Sequence, residues 1–256
     1  MRLHTRAGLF LAAITLLLLR ISAVHGQAYE DTTLQKVDEL LAQGKNLQAW
    51  DNLRSLPTKD TNYGDVLWRM ARTQYELGRL AELDKKALKF FQETEKYARA
   101  AIEAAPTRSD GYKWLAIGLG AQSKYVETET QVKHSREIKK NIEKAISLAP
   151  DDDISYLVLS RWHYKMSGLG FFARIYADMI YGGIPKASLK EAEELLLQAI
   201  GLRDRIAHRY NLYKVYDRMD RATDARTQLG KVLLLPVTFP EEAEEKAKAM
   251  KKLGKL

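Results

Sequence analysis

The sequence predicts an all-α chain folded as a stack of paired helices, and three observations carry that reading. Apolar residues recur at spacings of three and four from residue 33 to the end, broken only by short polar or Gly/Pro junctions. Alternating β-branched runs, the mark of strands, are nearly absent, and the six prolines and fifteen glycines sit mostly at segment ends. Two helix ends almost repeat: Ala101-Ile-Glu-Ala-Ala-Pro106 and Ala145-Ile-Ser-Leu-Ala-Pro150, 44 residues apart. Repetition at such a period marks a solenoid of supersecondary units.

Residues 1–26 read as a secretory signal. Arg2 and Arg6 form a basic start, Leu9 to Leu19 an apolar run, and Val24-His-Gly26 a cleavage site before Gln27. Arg20 argues against a membrane span here. Glu30 is the first acidic residue, so an organelle transit peptide is the alternative. The expected location is therefore an exported one, periplasmic or secreted. The chain has no Cys, hence no disulfides, and a fold of 256 residues buries enough core to do without them. The formal charge of +8 falls to about +5 without Arg2, Arg6 and Arg20, which is mild and argues for no nucleic acid.

Twelve helices follow from the spacing, over 32–43, 46–56, 62–78, 82–105, 109–122, 126–149, 152–166, 171–181, 188–203, 205–218, 222–234 and 240–253. No linker is long enough to divide them, so residues 27–239 are expected to form one array. Helix 82–105 carries Phe90, Phe91 and Tyr97 to bury. Helix 126–149 has only Val132 strongly apolar between Glu127 and Glu137, so its first turns should be solvated, protruding or frayed.

The repeat pattern is that of a tetratricopeptide array, whose period is about 34 residues. Tyr112, Leu115 and Ala116 supply its first-helix pattern in one copy, and Tyr156, Leu159 and Ser160 in the next. Second-helix matches are Ala192, Leu196 and Ala199, then Ala225, Leu229 and Val232. The longer spacing here implies lengthened second helices. Small residues at Ala98, Ala101, Ala145 and Ala199 let neighbouring helices approach, and stacking buries faces that no single pair can cover.

Residues 167–187 interrupt the fourth repeat. Gly168 and Gly170 open the stretch, and Gly182, Gly183 and Pro185 close it. Between them Phe171, Phe172, Ile175, Tyr176, Met179 and Ile180 share half a helical wheel, with Arg174, Asp178 and Tyr181 opposite. Such a helix is roughly 16 Å long, too short for a bilayer, so its apolar half must bury against protein or ligand. Arg174 needs a partner there, and Asp178 four residues on is the local one. The last segment, 240–256, reads as a capping helix. Pro240 sits in its first turn, Glu241, Glu242, Glu244 and Glu245 lie near the positive end, and Lys251, Lys252 and Lys255 near the negative end.

Little in the chain points to catalysis. His134, His163 and His208 lie on separate helices without ligand spacing, so no metal or cofactor is expected. Gly168-Leu-Gly170-Phe-Phe-Ala173 matches a dinucleotide fingerprint in letters alone, because a helix and not a strand precedes it. Asp151, Asp152 and Asp153 lack the later ligands of a calcium loop, and Asp152 or Asp153 should cap the next helix. Lys133, Arg136, Lys139, Lys140 and Lys144, then Arg203, Arg205 and Arg209, read as solvated faces, or as surfaces for an acidic partner or anionic headgroup.

Lys113-Trp114-Leu-Ala-Ile117, the run Lys140 to Pro150, Trp162-His-Tyr164, Phe172-Ala-Arg174 with Ala177, and Pro185-Lys-Ala-Ser-Leu-Lys-Glu-Ala192 together resemble the regulator of microtubule dynamics family, over roughly residues 60–236. The resemblance implies a superhelical tetratricopeptide-like domain without enzymatic activity. Some members are linked to microtubules; one tethers endoplasmic reticulum to mitochondria and binds phospholipid. An exported chain would not meet microtubules, so that role is not expected. By residue matching, Trp114, Trp162, Tyr164, Phe172, Arg174 and Tyr176 are candidate binding positions, with Lys140 added for charge. The expected function is a non-catalytic scaffold presenting a concave groove to a protein or peptide. The alternative is a carrier of phospholipid or another apolar ligand, with helix 171–181 lining the pocket.

Overall fold

A computed structural model describes residues 32–56, 63–170, 179–180, 182–183 and 185–254. Apart from the helical pair Met179 and Ile180, they form eleven helices among the described residues: α1 (32–42), α2 (Asn46–Arg54), α3 (Tyr63–Arg79), α4 (Asp84–Ala104), α5 (Ser109–Gln122), α6 (Thr128–Leu148), α7 (Asp153–Ser167), α8 (Leu189–Leu202), α9 (Ile206–Arg218), α10 (Ala222–Leu234) and α11 (Pro240–Leu253). Consecutive helices pack as antiparallel pairs. In addition α3 touches α5, α5 touches α7, α7 touches α9 and α9 touches α11. Odd-numbered helices therefore line the inner side of a superhelix, and even-numbered ones form its outer layer.

The small residues sit where the repeat requires them. Ala98, Ala145, Ala192 and Ala199 have no exposed surface, and Leu196, Leu229 and Val232 are equally covered. Each buried Leu contributes about 2 kcal/mol of apolar burial. Three clusters run along the array. The first joins α1 to α3 around Val37 and Leu53; the second spans α3 to α7 around Leu119 and Ile142; the third spans α7 to α11 around Leu212 and Leu229. Trp68 and Tyr97 pack against both of the first two, so the core is continuous there. The lengthened second helices are α4 and α6, each 21 residues.

Caps are made differently from expectation. Ser188 caps α8, accepting from Glu191 N at 3.1 Å. Asp152 occupies the N-cap of α7, but its side chain caps nothing and instead meets Lys113 at 3.1 Å. Asp153 turns inward to Arg205. At α11, Pro240 holds the first position and the buried Glu242 reaches back to accept from Thr238 N and Phe239 N, at 2.8 and 3.1 Å.

Helix α6 is not frayed. Its chain is helical from Thr128, and Val132 and Ser135 are buried. The helix expected over 171–181 lies outside the described residues except at Met179 and Ile180. These two are helical but 78% and 57% exposed, so at these positions the apolar half is not covered. Arg136 of α6 donates to the Gly183 carbonyl at 2.8 Å through Nε, which ties the end of that stretch to the outer layer. The two ends of the array also meet. Gly44, at φ +71 in the turn before α2, stands so close to Pro240 that a Cβ there would lie 3.3 Å from its ring.

Candidate functional site

On the inner side, α5 and α7 diverge and leave a cavity of about 420 Å³ with the first half of α6 as its wall. Ile117 and Ala121 of α5, Val132 and Ser135 of α6, and Trp162 and Met166 of α7 give it a mainly apolar lining. Small residues at Gly120 and Ala121 leave the space that larger ones would fill. Trp162 is held rigidly. Its indole Nε1 donates to the Ser135 carbonyl at 2.8 Å, and the Ser135 hydroxyl lies 3.1 Å from the Met166 sulfur. Lys139 stands 5.7 Å over the same ring from the outer layer.

The rim is basic. Arg161 and Lys165 line the cavity and are exposed. Arg161 also reaches along the inner side, donating to Asn211 Oδ1 at 3.3 Å and meeting Glu245 of α11 at 3.5 Å. The next inner helix, α9, offers Lys214. Its ammonium lies 5.8 Å from the Tyr164 ring and 5.6 Å from the Tyr210 ring. Burial pushes the Lys214 pKa down, with the Arg161 charge adding to the effect, to about 8.

The sequence candidates separate under this geometry. Trp162 forms the cavity wall. Tyr164, half-buried two residues on, faces α9, where Arg218 stacks at 4.9 Å and donates to its carbonyl at 2.7 Å. Trp114 belongs to the core, 5.7 Å from the Tyr75 ring, and its buried Nε1 has no hydrogen-bond partner among the described residues. Lys140 is exposed on α6 and does not line the cavity. Phe172, Arg174 and Tyr176 lie outside the described residues. Sequence reasoning missed Arg161, Lys165 and Lys214. Each looks like a solvated helix charge until packing brings α7, α9 and α11 together.

His163 is buried, as a packed helix residue should be, with Nδ1 3.1 Å from Glu191 Oε2 but without hydrogen-bond alignment. Burial lowers its pKa. Among the described residues no group of acidic, His or Cys side chains could hold a metal, and no helix is long and apolar enough to cross a membrane.

The family described as regulator of microtubule dynamics protein 1-3 matches residues 33–256, nearly the whole described array. The chain belongs to this family. Regulator of microtubule dynamics protein 3 of Xenopus laevis is 32% identical over 216 residues, 82% of this chain and 46% of that protein. Protein 1 of Mus musculus is 28% identical, covering 67% of this chain and 56% of its own length. For protein 2 of Homo sapiens the figures are 25%, 87% and 55%. The chain thus spans about half the length of the curated relatives it matches. Among solved structures, a thermophilic TPR protein of Thermus thermophilus superposes with a TM-score of 0.66 at 18% identity, covering 88% of this chain and 98% of its own. That likeness supports the tetratricopeptide-like fold.

Family membership corrects the location read from residues 1–26. The matched relatives are named for regulating microtubules and come from frog, mouse and human, so an exported chain, periplasmic or secreted and cleaved near Gly26, is the wrong reading. The physical reason is that arginines ahead of an eleven-residue apolar run are a composition signal, which N-terminal segments of different destinations share. Those residues lie outside the described ones, as does the organelle-transit alternative that rested on them. The argument against a microtubule role falls with the export reading. The phospholipid or apolar-ligand reading is set aside too, because the relatives' names point to a cytoskeletal role and its helix, 171–181, falls almost wholly outside the described residues.

Proposed function

We propose that the chain is a non-catalytic scaffold that binds a protein or peptide partner on its inner face, in the setting of microtubule regulation for which its relatives are named. The observation that supports this most is the cavity of about 420 Å³ between α5, α6 and α7. It is apolar inside, partly open and bounded by a pinned indole, the anatomy of a pocket that accepts a side-chain anchor. Helical-repeat arrays present such concave surfaces with replaceable side chains. The reading takes residues 27–239 as the repeat domain and 240–256 as its cap, with α11 closing the third core cluster through Ala249.

Filling the cavity tests it. Ala121→Trp places an indole in the space between α5, α6 and α7. The expected result is loss of partner capture, and of any co-sedimentation with polymerised tubulin, while helicity by circular dichroism is retained. Undiminished capture by Ala121→Trp would remove the cavity from the binding surface.

A further inference from the structure

The inner face beyond the cavity holds a cation whose desolvation its own contacts offset only in part. Lys214 is held among side chains from three helices: Arg161 and Tyr164 of α7, Tyr210 and Arg218 of its own α9, and Glu245 and Lys248 of α11. Among the described residues its ammonium has no carboxylate within ion-pair distance. Glu245 is already engaged by Arg161, and Lys248 is paired with Glu244 at 2.6 Å. Lys165, at the cavity rim, has no ion-pair partner among the described residues either. Cations therefore exceed carboxylates along a track from the cavity mouth to α9. A partly buried ammonium without an ion pair of its own, sharing Glu245 with Arg161, is destabilising in the free protein, and an anionic ligand would relieve it.

The layout distinguishes among anions. A small ion would satisfy one of these cations and leave the cavity unused. A nucleic acid needs aromatic faces open to its bases along a phosphate track, whereas the Tyr164 and Tyr210 rings here are already met by Lys214 and Arg218. A polypeptide segment supplies both parts. We infer that the partner docks through an acidic segment bearing one large apolar side chain, which enters the cavity between α5, α6 and α7 while flanking carboxylates meet Lys165, Arg161 and Lys214. This rests on the scaffold reading above and names the chemistry of the partner. Opposite charges along the track give orientation and a fast, salt-sensitive encounter.

The probe is a short synthetic Glu-rich peptide carrying one central Leu, fluorescently labelled and titrated with the full chain by anisotropy. Two control peptides replace Leu by Ser, or every Glu by Lys. The acidic Leu peptide alone should bind, more weakly as salt rises. Lys165→Glu and Lys214→Met should each weaken it about tenfold. Lys214→Met should at the same time raise the melting temperature, because it removes a desolvated charge; lost binding with gained stability is not the signature of misfolding. Affinity for the unaltered chain should decline as the pH rises through about 8, where Lys214 sheds its proton, and this dependence should vanish in Lys214→Met. Equal binding of the Lys peptide, indifference to both substitutions, or equal displacement by a single-stranded oligonucleotide would overturn the inference. If Ala121→Trp abolishes partner capture while the charge substitutions change neither capture nor peptide binding, the scaffold stands and the acidic segment falls. If none has an effect, both fall.

Discussion

Arg205, the residue before α9, hydrogen bonds through Nε to Asp153 Oδ2 in the first turn of α7, and both side chains are all but covered, at 8% and 7% exposure. His208 joins them, with Nε2 3.4 Å from the same carboxylate oxygen. The Arg205 guanidinium also lies 5.1 Å over the Phe239 ring at the start of α11. One cluster thus fastens three inner helices at the same end of the superhelix. Removing one member of a buried pair strands the other, which costs about 3–5 kcal/mol. Asp153→Ala should therefore destabilise the chain by about 3 kcal/mol, measured by urea denaturation. Replacing both partners, Asp153→Leu with Arg205→Met, should recover most of that loss.

The same burial sets an acid limit. His208 has no exposed surface, and its pKa is lowered by burial, against the Arg203 carbonyl that meets Nδ1 at 2.8 Å. His134 and His163 are lowered for the same first cause. A lowered folded pKa means the unfolded chain takes up protons first. No stability is lost above the ordinary histidine value of about 6.5; below it, stability falls with pH until the folded pKa is passed. Thermal melts between pH 7.5 and 5 should show this decline, and His208→Gln should flatten part of it. A melting temperature independent of pH across that window would be incompatible with neutral buried histidines.

How far these features were legible depends on the distance over which they are made. The helices follow from local periodicity, so α3 to α11 begin and end within about three residues of their expected bounds. Buried Ala98, Ala145 and Ala199 were legible from repeat matching, because the same small residue recurs at the same helix–helix contact. Asp153 was misread as a cap, since local sequence shows an acid beside a helix start while its partner is 52 residues away. The cavity was half legible. Trp162 announces itself as an aromatic, but Arg161 and Lys165 are unremarkable until α5 and α7 diverge. The first half of α6, read as solvated, is the cavity wall, with Thr128 and Gln131 lining the cavity beside the buried Val132 and Ser135.

A repeated bond offers a sharper stability test. Tyr112 donates its hydroxyl to the Pro106 carbonyl at 3.1 Å, and Tyr156 does the same to Pro150 at 3.0 Å. In each case the tyrosine of one repeat satisfies a carbonyl beyond the end of the preceding second helix, where no helical partner remains. Tyr→Phe at either position should cost about 1 kcal/mol. Tyr156 is buried, and Tyr112 is only partly so. Water can replace the Tyr112 bond more readily, so Tyr156→Phe should lower the denaturation midpoint more than Tyr112→Phe.

Two helical glycines should respond to the same substitution with opposite signs. At Gly111, in the first turns of α5, a Cβ would lie 2.9 Å from Ile102 Cγ1 and 3.0 Å from the Ile102 backbone nitrogen of α4. The side chain could turn aside, but the backbone cannot yield without moving α4 from α5. Gly111→Ala should therefore destabilise by about 1–3 kcal/mol through overpacking. At Gly230, in the middle of α10, a Cβ would meet nothing within 4 Å. There only the conformational freedom of glycine in the unfolded chain is at stake, and Gly230→Ala should stabilise by about 0.5–1 kcal/mol. Denaturation of the two variants in parallel checks the α4–α5 contact directly, because helix propensity alone predicts a gain at both positions and close packing at Gly111 predicts a loss.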